Sequence, residues 1–382
     1  MIIKREPECI LVTGGAGFIG SHFVELCVKQ GLRIIVLDAI TYAGNEENLA
    51  DIRGDGTYTL IKGNICDAKT VSELFLAYQF DALVNFAAES HVDRSISGPS
   101  QFIQTNIVGT YTLLESSRRY WSTLNETKKN QFMYVQISTD EVFGSLGVEG
   151  KFSETTPVQP NSPYSASKAA GDNLVRAWHH TYGLPTIVTH CSNNYGPKQY
   201  PEKLIPFMML SALNNKPLGV YGTGLNVRDW IHVKDHCEGI FLALTIGRSG
   251  QTYCFGGNAE KTNLDVVKNI CKILDTIKPR SDKKPHDTAI QFVQDRQGHD
   301  WRYAIDSTFA QKELGFKCKF RFDHEALGLL ETIRWYLDNP KWLESIKRKQ
   351  ELYERDHFSR RERDTPLPAH TSNEQTTFTS IR

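Results

Sequence analysis

The chain has 382 residues, of which 40% are hydrophobic and 10% aromatic, so it can bury a sizeable core and is not a wholly disordered protein. Its 44 lysines and arginines balance its 44 aspartates and glutamates, and a formal net charge of zero gives no support to a protein that binds nucleic acid or an anionic membrane surface. Small anionic ligands are not excluded, because they need only a local cluster of positive groups.

The first half of the chain alternates short apolar runs with helix-length segments. The runs are rich in β-branched and aromatic residues, as in strands that are buried on both faces of a sheet. They lie at 10–12, 34–37, 58–61, 82–84, 132–135 and 186–188. Helices are predicted at about 18–30, 67–78, 100–119 and 164–182. This alternation predicts an α/β fold with a doubly wound parallel sheet.

After about residue 190 the alternation stops, and proline and glycine become frequent. Helical patterns return at about 234–247, 263–277 and 323–338. We therefore expect a first domain over 1–190 and a smaller α/β domain over 191–345, with some strands and helices exchanged between them and a ligand in the cleft. Residues 350–382 are polar and have little to bury, so we expect a disordered tail there.

A glycine-rich turn joins the first predicted strand to the first predicted helix. Gly14, Gly17 and Gly20 allow a tight turn, close approach of a pyrophosphate and close packing of the helix, whose free N–H groups then meet the phosphates. Asp38 ends the next strand, 18 residues after Gly20. A carboxylate there binds the ribose hydroxyls and repels a 2′-phosphate, which favours NAD over NADP. The alternative is a tight glycine turn without a ligand.

A tyrosine followed four residues later by a lysine occurs twice. Tyr58 and Lys62 fall in a predicted strand, where their side chains are roughly 13 Å apart. Tyr164 and Lys168 fall at the start of a predicted helix, where they are neighbours on one face. An ammonium beside the phenol lowers the pKa of the tyrosine from about 10 toward neutrality. Tyr164 is therefore a candidate base for a hydroxyl proton during hydride transfer.

Two adjacent carboxyl groups follow the fifth predicted strand, in the triplet Thr139-Asp140-Glu141. Ligands of doubly wound sheets sit at the carboxyl ends of the strands. One interpretation is that the pair only caps or solvates a loop. The other is that a protonated acid helps to expel a hydroxyl as water while its ionised partner removes a carbon-bound proton, which requires surroundings that separate the two pKa values.

These motifs resemble those of the extended short-chain dehydrogenase/reductase family, in particular its NAD-dependent nucleotide-sugar epimerase and dehydratase group. The resemblance covers about residues 9–340 and rests on Val12–Gly20, Leu37–Asn45, Ala87–Ser95, Ser138–Gly144, Tyr164–Lys168, Asn193–Pro197, Tyr200–Pro206, Arg228–Trp230, Lys261–Asp265 and Asp295–His299. It implies a Rossmann domain that binds NAD and a smaller domain that binds a nucleotide sugar. The triplet at 139–141 resembles the 4,6-dehydratases of the group, because epimerases of the same fold lack its Asp-Glu pair.

The resemblance also implies roles for individual residues. It assigns the cofactor contacts to Gly14, Gly17, Phe18, Ile19, Gly20, Asp38, Thr41, Asn64, Ile65, Ala87, Ala88, Ser90, Thr105, Tyr164, Lys168 and Asn194. It assigns the nucleotide-sugar contacts to Ser90, Thr139, Asn193, Lys203, Leu204, Tyr221, Arg228, Asn263, Asp295, Arg296 and His299. It assigns catalysis to Thr139, Asp140, Glu141, Tyr164 and Lys168. The two arginines suit a diphosphate, because a guanidinium fork matches phosphate oxygens.

The reaction that the resemblance implies converts a nucleoside-diphosphate glucose to a 4-keto-6-deoxy sugar and water, with dTDP-glucose as the expected substrate and UDP-glucose as the alternative. In this hypothesis bound NAD takes a hydride from C4 and returns it to C6. Tyr164 takes the 4-hydroxyl proton, Glu141 the C5 proton, and Asp140 protonates the leaving 6-hydroxyl. The rival hypotheses are a nucleotide-sugar 4-epimerase, a simple dehydrogenase and a non-enzymatic NAD-binding regulator.

Cysteine spacing and hydropathy bear on the compartment. The eight cysteines are scattered, with no CxxC pair and no accompanying histidine cluster, which argues against a disulfide framework or a metal site. No apolar run approaches the ~18 residues of a membrane span, and the charged residues 1–8 lack the apolar core of a signal peptide. We expect a cytoplasmic enzyme without metal, nucleic-acid or membrane partners. The resemblance further implies a homodimer formed through the helices at about 100–119 and 164–182.

Overall fold

Parallel strands form the central sheet of the part of the chain that the computed structural model describes, residues 4–324 and 327–349. Within these residues the sheet has seven strands, in the order β10-β6-β5-β4-β1-β2-β3. The strands of the described chain are β1 (Cys9–Thr13), β2 (Arg33–Asp38), β3 (Tyr58–Lys62), β4 (Ala82–Asn85), β5 (Met133–Ile137), β6 (Thr186–Cys191), β7 (Asn193–Tyr195), β8 (Leu218–Tyr221), β9 (Val227–His232), β10 (Thr252–Phe255), β11 (Glu260–Thr262) and β12 (Ile290–Val293). The predicted doubly wound parallel sheet is confirmed.

Helices cover both faces of this sheet. The α-helices are α1 (Phe18–Lys29), α2 (Ala68–Ala77), α3 (Val92–Ser97), α4 (Ser100–Phe102), α5 (Thr110–Thr123), α6 (Glu126–Gln131), α7 (Pro163–Tyr182), α8 (Leu204–Leu213), α9 (Val233–Ile246), α10 (Asn263–Ile277), α11 (Thr308–Leu314) and α12 (Leu329–Asp338). Short 3₁₀-helices lie at Glu46–Ile52, Asp140–Phe143 and His286–Ala289, and a π-helix at Ile103–Gly109 joins α4 to α5. By its contacts the chain divides into units at 1–340 and 341–382. Residues 341–349 of the second unit are helical, and the predicted tail at 350–382 lies outside the described residues.

Alternate residues of each central strand enter different cores, which is why the strands read as continuous apolar runs. Ile10 and Val12 of β1 pack into a core that also holds side chains of α1 and α9. Leu11, between them, packs into a second core with side chains of α5 and α7. All three strand residues are fully buried. The sheet is therefore covered on both faces, and its strand ends are left as the place for a ligand.

The strand order reverses beside β1. From β1 the chain moves through β2 to β3 in one direction and then returns through β4, β5 and β6 in the other. A crevice opens outside the carboxyl ends of the strands at such a switch point, and it is the usual ligand site of doubly wound sheets. Among the described helices, none combines the length and apolar character that a membrane crossing requires.

The chain after residue 190 builds two small sheets and also extends the large one. β7, β9 and β11 form a three-stranded sheet, and β8 pairs with β12. β10, by contrast, pairs in parallel with β6 at the edge of the central sheet. Segments on both sides of residue 190 thus share one sheet, and the predicted division into 1–190 and 191–345 stays a prediction.

The predicted helix at 323–338 starts six residues too early. The observed helix α12 begins at Leu329, and Gly328 is its N-cap in an extended, non-helical conformation. The backbone N–H of His324 donates to the carbonyl of Arg321 at 2.9 Å and that of Leu329 to the carbonyl of Phe322 at 3.1 Å, so residues 321–324 form a turn and not the start of the helix. A Cβ at Gly328 would overlap the carbonyl oxygen of Arg321. The turn therefore requires glycine at a position that hydrophobic periodicity alone does not distinguish.

Candidate active site

A cleft of about 350 Å³ lies at the carboxyl ends of the central strands. It is lined by every residue predicted to contact the cofactor, namely Gly14, Gly17, Phe18, Ile19, Gly20, Asp38, Thr41, Asn64, Ile65, Ala87, Ala88, Ser90, Thr105, Tyr164, Lys168 and Asn194. The catalytic candidates Thr139, Asp140 and Glu141 line the same cleft. Residues that are far apart in the sequence are thus brought to one place by the strand order.

The glycine-rich turn has the shape of a pyrophosphate cradle. Gly14 has a φ of +69°, and a Cβ there would lie 2.6 Å from the backbone nitrogen of Ala87. A Cβ at Gly20 would overlap the carbonyl oxygen of Gly14. Helix α1 starts directly after Gly17, which has no side chain to cap the first N–H groups. These groups and the helix dipole point to an anionic ligand, so the residues present fit the diphosphate of NAD.

Asp38, the last residue of β2, is held at the ribose end of this cradle. Its Oδ2 accepts from the backbone N–H of Ala16 at 2.9 Å, and its Oδ1 accepts from that of Ile40 at 2.7 Å. A carboxylate accepts several hydrogen bonds at once, which suits the hydroxyls of a ribose. A negative charge fixed in this way opposes a 2′-phosphate, so the pocket fits NAD better than NADP.

At the carboxyl end of β5, Thr139 is the N-cap of the 3₁₀-helix that carries the two carboxyl groups. Its hydroxyl accepts from the backbone N–H of Glu141 at 3.3 Å and lies 3.4 Å from Oδ1 of Asp140. Asp140 is 2% exposed, and its Oδ2 is buried without a hydrogen-bond partner. Burial of an unsatisfied acid next to a second carboxyl is not how a solvated loop is built. The structure therefore disfavours the loop-capping interpretation.

The surroundings of the two carboxyl groups raise both pKa values, though for partly different reasons. Burial raises the pKa of Asp140 well above its usual range, and the neighbouring carboxyls of Glu141 and Asp229 add to the effect. Burial also raises the pKa of Glu141, but the cations Arg228 and Lys203 oppose that rise. Asp140 is consequently the better proton donor of the pair and Glu141 the better base.

Tyr164 and Lys168 lie in the first turns of α7, as predicted. The helix starts with a reciprocal capping box between Ser162 and Ser165, and Pro163 occupies its first position. This sequence fixes the start of the helix one residue before Tyr164. The tyrosine ring is 8% exposed and packs against the ring of Phe102 with centroids 6.3 Å apart.

The predicted lowering of the pKa of Tyr164 by Lys168 is wrong for the protein without ligand. Burial, followed by the charge of Glu141, raises the pKa of Tyr164 well above its usual range. The ammonium of Lys168 donates to the carbonyl of Ile137 at 2.7 Å, and burial lowers its own pKa. An oxidised nicotinamide ring carries a positive charge, and its presence in the cleft would act in the opposite direction on the tyrosine.

Two buried polar side chains hold the elements of this corner together. Asn106, in the π-helix, exchanges two hydrogen bonds with the backbone of Glu89 and donates to Ser167 of α7 at 2.8 Å. A π-helix at such a place is typical of a functional site. Nδ1 of His236 lies 3.0 Å from Oδ1 of Asn194, one of the residues predicted to contact the cofactor. Burial lowers the pKa of His236 to about 3, so this histidine is neutral and can fix the amide by a single hydrogen bond.

A smaller cavity of about 90 Å³ adjoins Glu141. It is lined by Asn193, Arg228, Arg296 and His299, four of the predicted nucleotide-sugar residues. The guanidinium of Arg228 stacks 4.2 Å from the ring centroid of Tyr303 and donates to the carbonyl of Asp300 at 2.9 Å. These cations beside the acid–base corner suit the diphosphate of a nucleotide sugar.

Charged residues on this wall are paired with other protein groups. Nε of Arg296 lies 2.6 Å from Oδ1 of Asp93, and its Nη2 donates to Oδ2 at 3.1 Å. Nδ1 of His299 lies 2.7 Å from Oδ1 of Asp295. The ring of Tyr221 contacts both Arg296 and His299, with centroid distances of 5.4 and 6.1 Å. The wall is thus held in position by contacts within the protein.

Seven of the eleven predicted nucleotide-sugar residues line one of the two cavities, and four do not. Ser90, Thr139, Asn193 and Lys203 line the larger cavity, and the smaller cavity has the four named above. Leu204, Tyr221, Asn263 and Asp295 line neither of these two cavities. Asp295 and Tyr221 contact residues that line the smaller cavity. The roles of all four residues stay predictions.

Sequence reasoning missed several side chains of the site. Glu89, Cys191 and Glu202 line the larger cavity, and Tyr303 the smaller one. Glu89 lies inside the segment Ala87–Ser95, so its position in a motif was the available signal. Tyr303 follows the last recognised motif, and nothing in the sequence distinguishes it from an ordinary core tyrosine. Among the described residues, no group of three or more His, Cys, Asp or Glu side chains is arranged to hold a metal.

Known proteins similar to the chain point to one enzyme group. A family model described as GDP-mannose 4,6 dehydratase matches residues 11–326. The dTDP-glucose 4,6-dehydratase of Xanthomonas campestris pv. campestris strain B100 is 54% identical over 336 residues, which cover 88% of this chain and 95% of the relative.

Solved structures agree with this result. The dTDP-glucose 4,6-dehydratase from Bacillus anthracis strain Ames, in complex with NAD, is 45% identical with a TM-score of 0.77, covering 88% of this chain and 99% of that one. DesIV, a dTDP-glucose 4,6-dehydratase from Streptomyces venezuelae solved with NAD bound, is 43% identical with a TM-score of 0.79 and the same coverage. The similarity thus extends over most of the chain and over its fold.

Proposed function

The chain belongs to the GDP-mannose 4,6-dehydratase family, and we propose that it is an NAD-dependent hydro-lyase that converts dTDP-glucose to its 4-keto-6-deoxy product and water. One observation carries this proposal: an Asp-Glu pair with a buried aspartate shares a cleft with the Tyr-Lys pair of a dehydrogenase. The Tyr-Lys pair suffices for oxidation alone, whereas the two carboxyls are required for loss of water. The relatives that are about half identical carry the same activity in their names.

NAD, when bound, accepts the hydride of C4 and later returns it to C6. The side chains that act on C4 are Tyr164 and Thr139. Tyr164 takes the proton of the 4-hydroxyl, and Thr139 hydrogen-bonds the same oxygen. Lys168 is held at the end of β5 by its bond to Ile137, where it would bind the cofactor beside Tyr164. The result of this step is a 4-ketone, which acidifies the proton on C5.

The carboxyl pair then removes water across C5 and C6. Glu141 takes the C5 proton, the electron pair forms the C5–C6 double bond, and the C6–O bond breaks. Asp140 donates its proton to the departing oxygen, so the leaving group is water and not hydroxide. The raised pKa of Asp140 is what keeps this proton available at neutral pH. A proton returned to C5 completes the product.

Three cations would bind the diphosphate. Lys203 lines the larger cavity, and Arg228 and Arg296 line the smaller one. Arg228 is 7% exposed and already stacked on Tyr303, so little side-chain entropy is lost when a phosphate binds. The overall charge balance of the chain therefore does not oppose an anionic substrate.

An epimerase or a simple dehydrogenase on the same fold would have no use for a buried protonated acid. Such an enzyme would tolerate Asp140 as a solvated loop residue, and its burial contradicts that. UDP-glucose differs from dTDP-glucose in the base by one methyl group, worth roughly 1–3 kcal/mol in an apolar pocket. We therefore propose dTDP-glucose as the preferred substrate on the ground of the relatives.

We also propose a cytoplasmic homodimer. The eight cysteines all lie among the described residues, and each is a free thiol, which fits a reducing compartment. Apolar side chains on the predicted dimer helices are 43–48% exposed, namely Ile103, Tyr111 and Tyr182. Exposed apolar patches of this kind are typical of interfaces. Light scattering coupled to size-exclusion chromatography would show a mass near twice 43.3 kDa, and a monomer would contradict the proposal.

The deciding experiment is turnover of dTDP-glucose and UDP-glucose, each deuterated at C4, followed by product NMR. We expect a 4-keto-6-deoxy product with the deuterium transferred to C6, formed faster from the thymidine nucleotide. A C4-epimer without water loss would establish the epimerase instead. A product without label at C6 would contradict internal hydride return, and no turnover of either sugar would favour the regulatory protein.

A further inference from the structure

A buried lysine outside the cleft connects the segment after β7 to helix α1 and to the 3₁₀-helix at 46–52. Lys198 follows β7 and is 5% exposed, although lysine is rarely buried. Its φ of +68° lies in the left-handed region, which costs a non-glycine residue roughly 1 kcal/mol or more and persists where the surroundings determine it. A residue with a strained backbone and a buried side chain is held in place by specific partners.

The partners of Lys198 come from α1 and from the 3₁₀-helix at 46–52. Its Nζ forms an ion pair with Glu25 of α1, donates to the carbonyl of Asn48 at 2.8 Å and lies 3.1 Å from Oδ2 of Asp51. These contacts use all three ammonium hydrogens. One turn before Glu25, the ring of His22 lies 3.0 Å from the carbonyl of Pro197. We call this group of six residues, 22, 25, 48, 51, 197 and 198, the clasp.

The clasp connects two parts of the chain that line the cleft, the glycine-rich turn with the start of α1 and the segment around Lys198. The amide of Asn48 donates to the carbonyl of Ala16 in the glycine-rich turn at 2.8 Å, so that side of the clasp belongs to the phosphate and ribose pocket. Residues just before and after Lys198 line the cleft beside the acid–base corner, namely Asn193, Asn194, Gln199, Tyr200 and Lys203. Lys198 itself does not line either cavity. Its role therefore cannot be contact with a ligand.

We propose that Lys198 is a positioning residue that retains NAD in the cleft between turnovers. It does so by joining the segment that carries Asn193 and Asn194 to helix α1. This inference rests on the proposed function, in which the hydride returns to the sugar and NAD has no need to leave. The reacting groups Asp140, Glu141 and Tyr164 are carried by other elements and have no hydrogen bond to the clasp. We therefore expect loss of the clasp to change the rate of NAD dissociation more than it changes kcat with NAD bound.

The test is the rate of NAD dissociation from the purified full-length holoenzyme of Lys198→Met. Released NAD is trapped by excess alcohol dehydrogenase with ethanol, and NADH fluorescence reports its release. We expect dissociation at least about tenfold faster than in the parent, because losing a buried charge contact acts mainly on dissociation rates. With saturating NAD, kcat stays within about twofold. An unchanged dissociation rate overturns the proposal, and so does a kcat at saturating NAD that falls as far as the dissociation rate rises.

Two further variants distinguish loss of the Lys198 contacts from a general folding defect. Lys198→Met leaves Glu25 buried without its partner, which can destabilise the fold, whereas the double variant Glu25→Gln, Lys198→Met removes both charges. The double variant should release NAD as fast as the single one. Lys198→Arg should restore at least half of the lost retention, since it returns the charge. Lys319→Met is the matched control, because it removes an ion pair to Glu238 on an exposed lysine, and its dissociation rate should equal that of the parent.

Dissociation is measured without sugar, so the two proposals fail separately. If NAD leaves faster from the variants but the parent never forms a 4-keto-6-deoxy sugar, the clasp stands and the proposed reaction falls. If the parent forms that sugar and the variants keep NAD as firmly as the parent, the reaction stands and the clasp falls.

Discussion

Two neighbouring regions of the cleft hold their ionisable side chains in opposite ways, one by burial and the other by contact with carboxylates. At the end of β5, Asp140 and Tyr164 are buried, and burial is the largest cause of the rise in both pKa values. On the adjoining wall, Arg296 and His299 are held against the carboxylates of Asp93 and Asp295. In the first region burial favours the uncharged form of an acid, and in the second region polar side chains are held against carboxylates.

The difference follows from what each region has to do. An acid that must donate a proton has to be uncharged before the reaction, and burial achieves this without a partner. A guanidinium that must bind a diphosphate has to stay charged, and the carboxylate of Asp93 orients Arg296 for this role. Substitutions in the first region should therefore affect the chemical steps, and those in the second the binding of substrate.

The largest effect is expected from Glu141→Gln. The amide keeps the shape but cannot take the C5 proton, so kcat should fall by about 10²–10⁴, the range of general-base catalysis. The reduced cofactor should accumulate transiently, because C4 oxidation precedes the blocked step, and its absorbance in stopped flow would reveal it. Glu154→Gln is the matched control, since Glu154 also has a pKa raised by burial but bonds to Cys254. A Glu141→Gln enzyme with near-parent kcat would remove the base assignment.

The second effect concerns the other region. Asp93→Asn takes away the charge that orients Arg296, and we expect KM for the nucleotide sugar to rise about tenfold, a loss of about 1.4 kcal/mol, with kcat within about twofold. The carboxylate of Asp282 contacts Arg280 through the same two nitrogens, at 3.0 and 2.8 Å, and lines neither cavity. Asp282→Asn should therefore leave both constants unchanged. If Asp93→Asn instead lowered kcat and spared KM, the two regions would not divide the work as described.

The sequence predicts the first region better than the second, for a physical reason. Thr139, Asp140 and Tyr164 sit directly after a strand or at a capped helix start, where local patterns determine position. Arg296 and Tyr303 lie on irregular chain, and their partners Asp93 and Arg228 are 203 and 75 residues away in the sequence. A pattern in one segment carries no information on such a pairing.

Local patterns also leave the electrostatics of the first region undetermined. A lysine four residues after Tyr164 indicates a lowered pKa, yet burial dominates and the ammonium bonds to Ile137. Burial is a property of the packed protein, so spacing alone could not predict it. Six of the seven described strands of the central sheet, by contrast, were predicted within a few residues because they are short apolar runs, whereas β10 was not predicted.

The third effect is a change in pH dependence from Asp229→Asn. The negative charge of Asp229 helps to raise the pKa of Asp140, after burial and Glu141. An acid that must be protonated is active below its pKa and inactive above it, so removing this charge should move the alkaline limb of the kcat profile to lower pH. Asparagine keeps the acceptor for the N–H of Ala259, which bonds to Oδ1 at 2.7 Å. Asp235→Asn is the matched control among buried carboxyls, and a limb that moves equally in both variants would contradict the assignment.

The smallest effect is expected at Glu89, which lines the cleft between the two regions. Burial raises its pKa to about 7, helped by Glu202 and opposed by Arg94. A carboxyl whose pKa is higher in the folded than in the unfolded chain stabilises the fold fully below the unfolded value, and this stabilisation is lost as pH rises through about 7. Glu89→Gln does not ionise, so relative to the parent it should gain free energy of unfolding between pH 5 and pH 8. We expect a gain of about 1 kcal/mol, less than the full linkage value of about 2.5 kcal/mol, because Glu89 is only partly buried and solvent screens its charge.

Thermal unfolding of the holoenzyme at the two pH values measures this gain. We expect the difference in Tm between Glu89→Gln and the parent to be about 1–2 °C larger at pH 8 than at pH 5. Glu126→Gln provides the baseline, because the side chain of Glu126 is 84% exposed and its removal should give the same difference at both pH values. A Glu89→Gln difference that is larger at pH 5 would mean that Glu89 is held as a paired carboxylate, and it would then belong with the charge-paired wall instead of the buried acids.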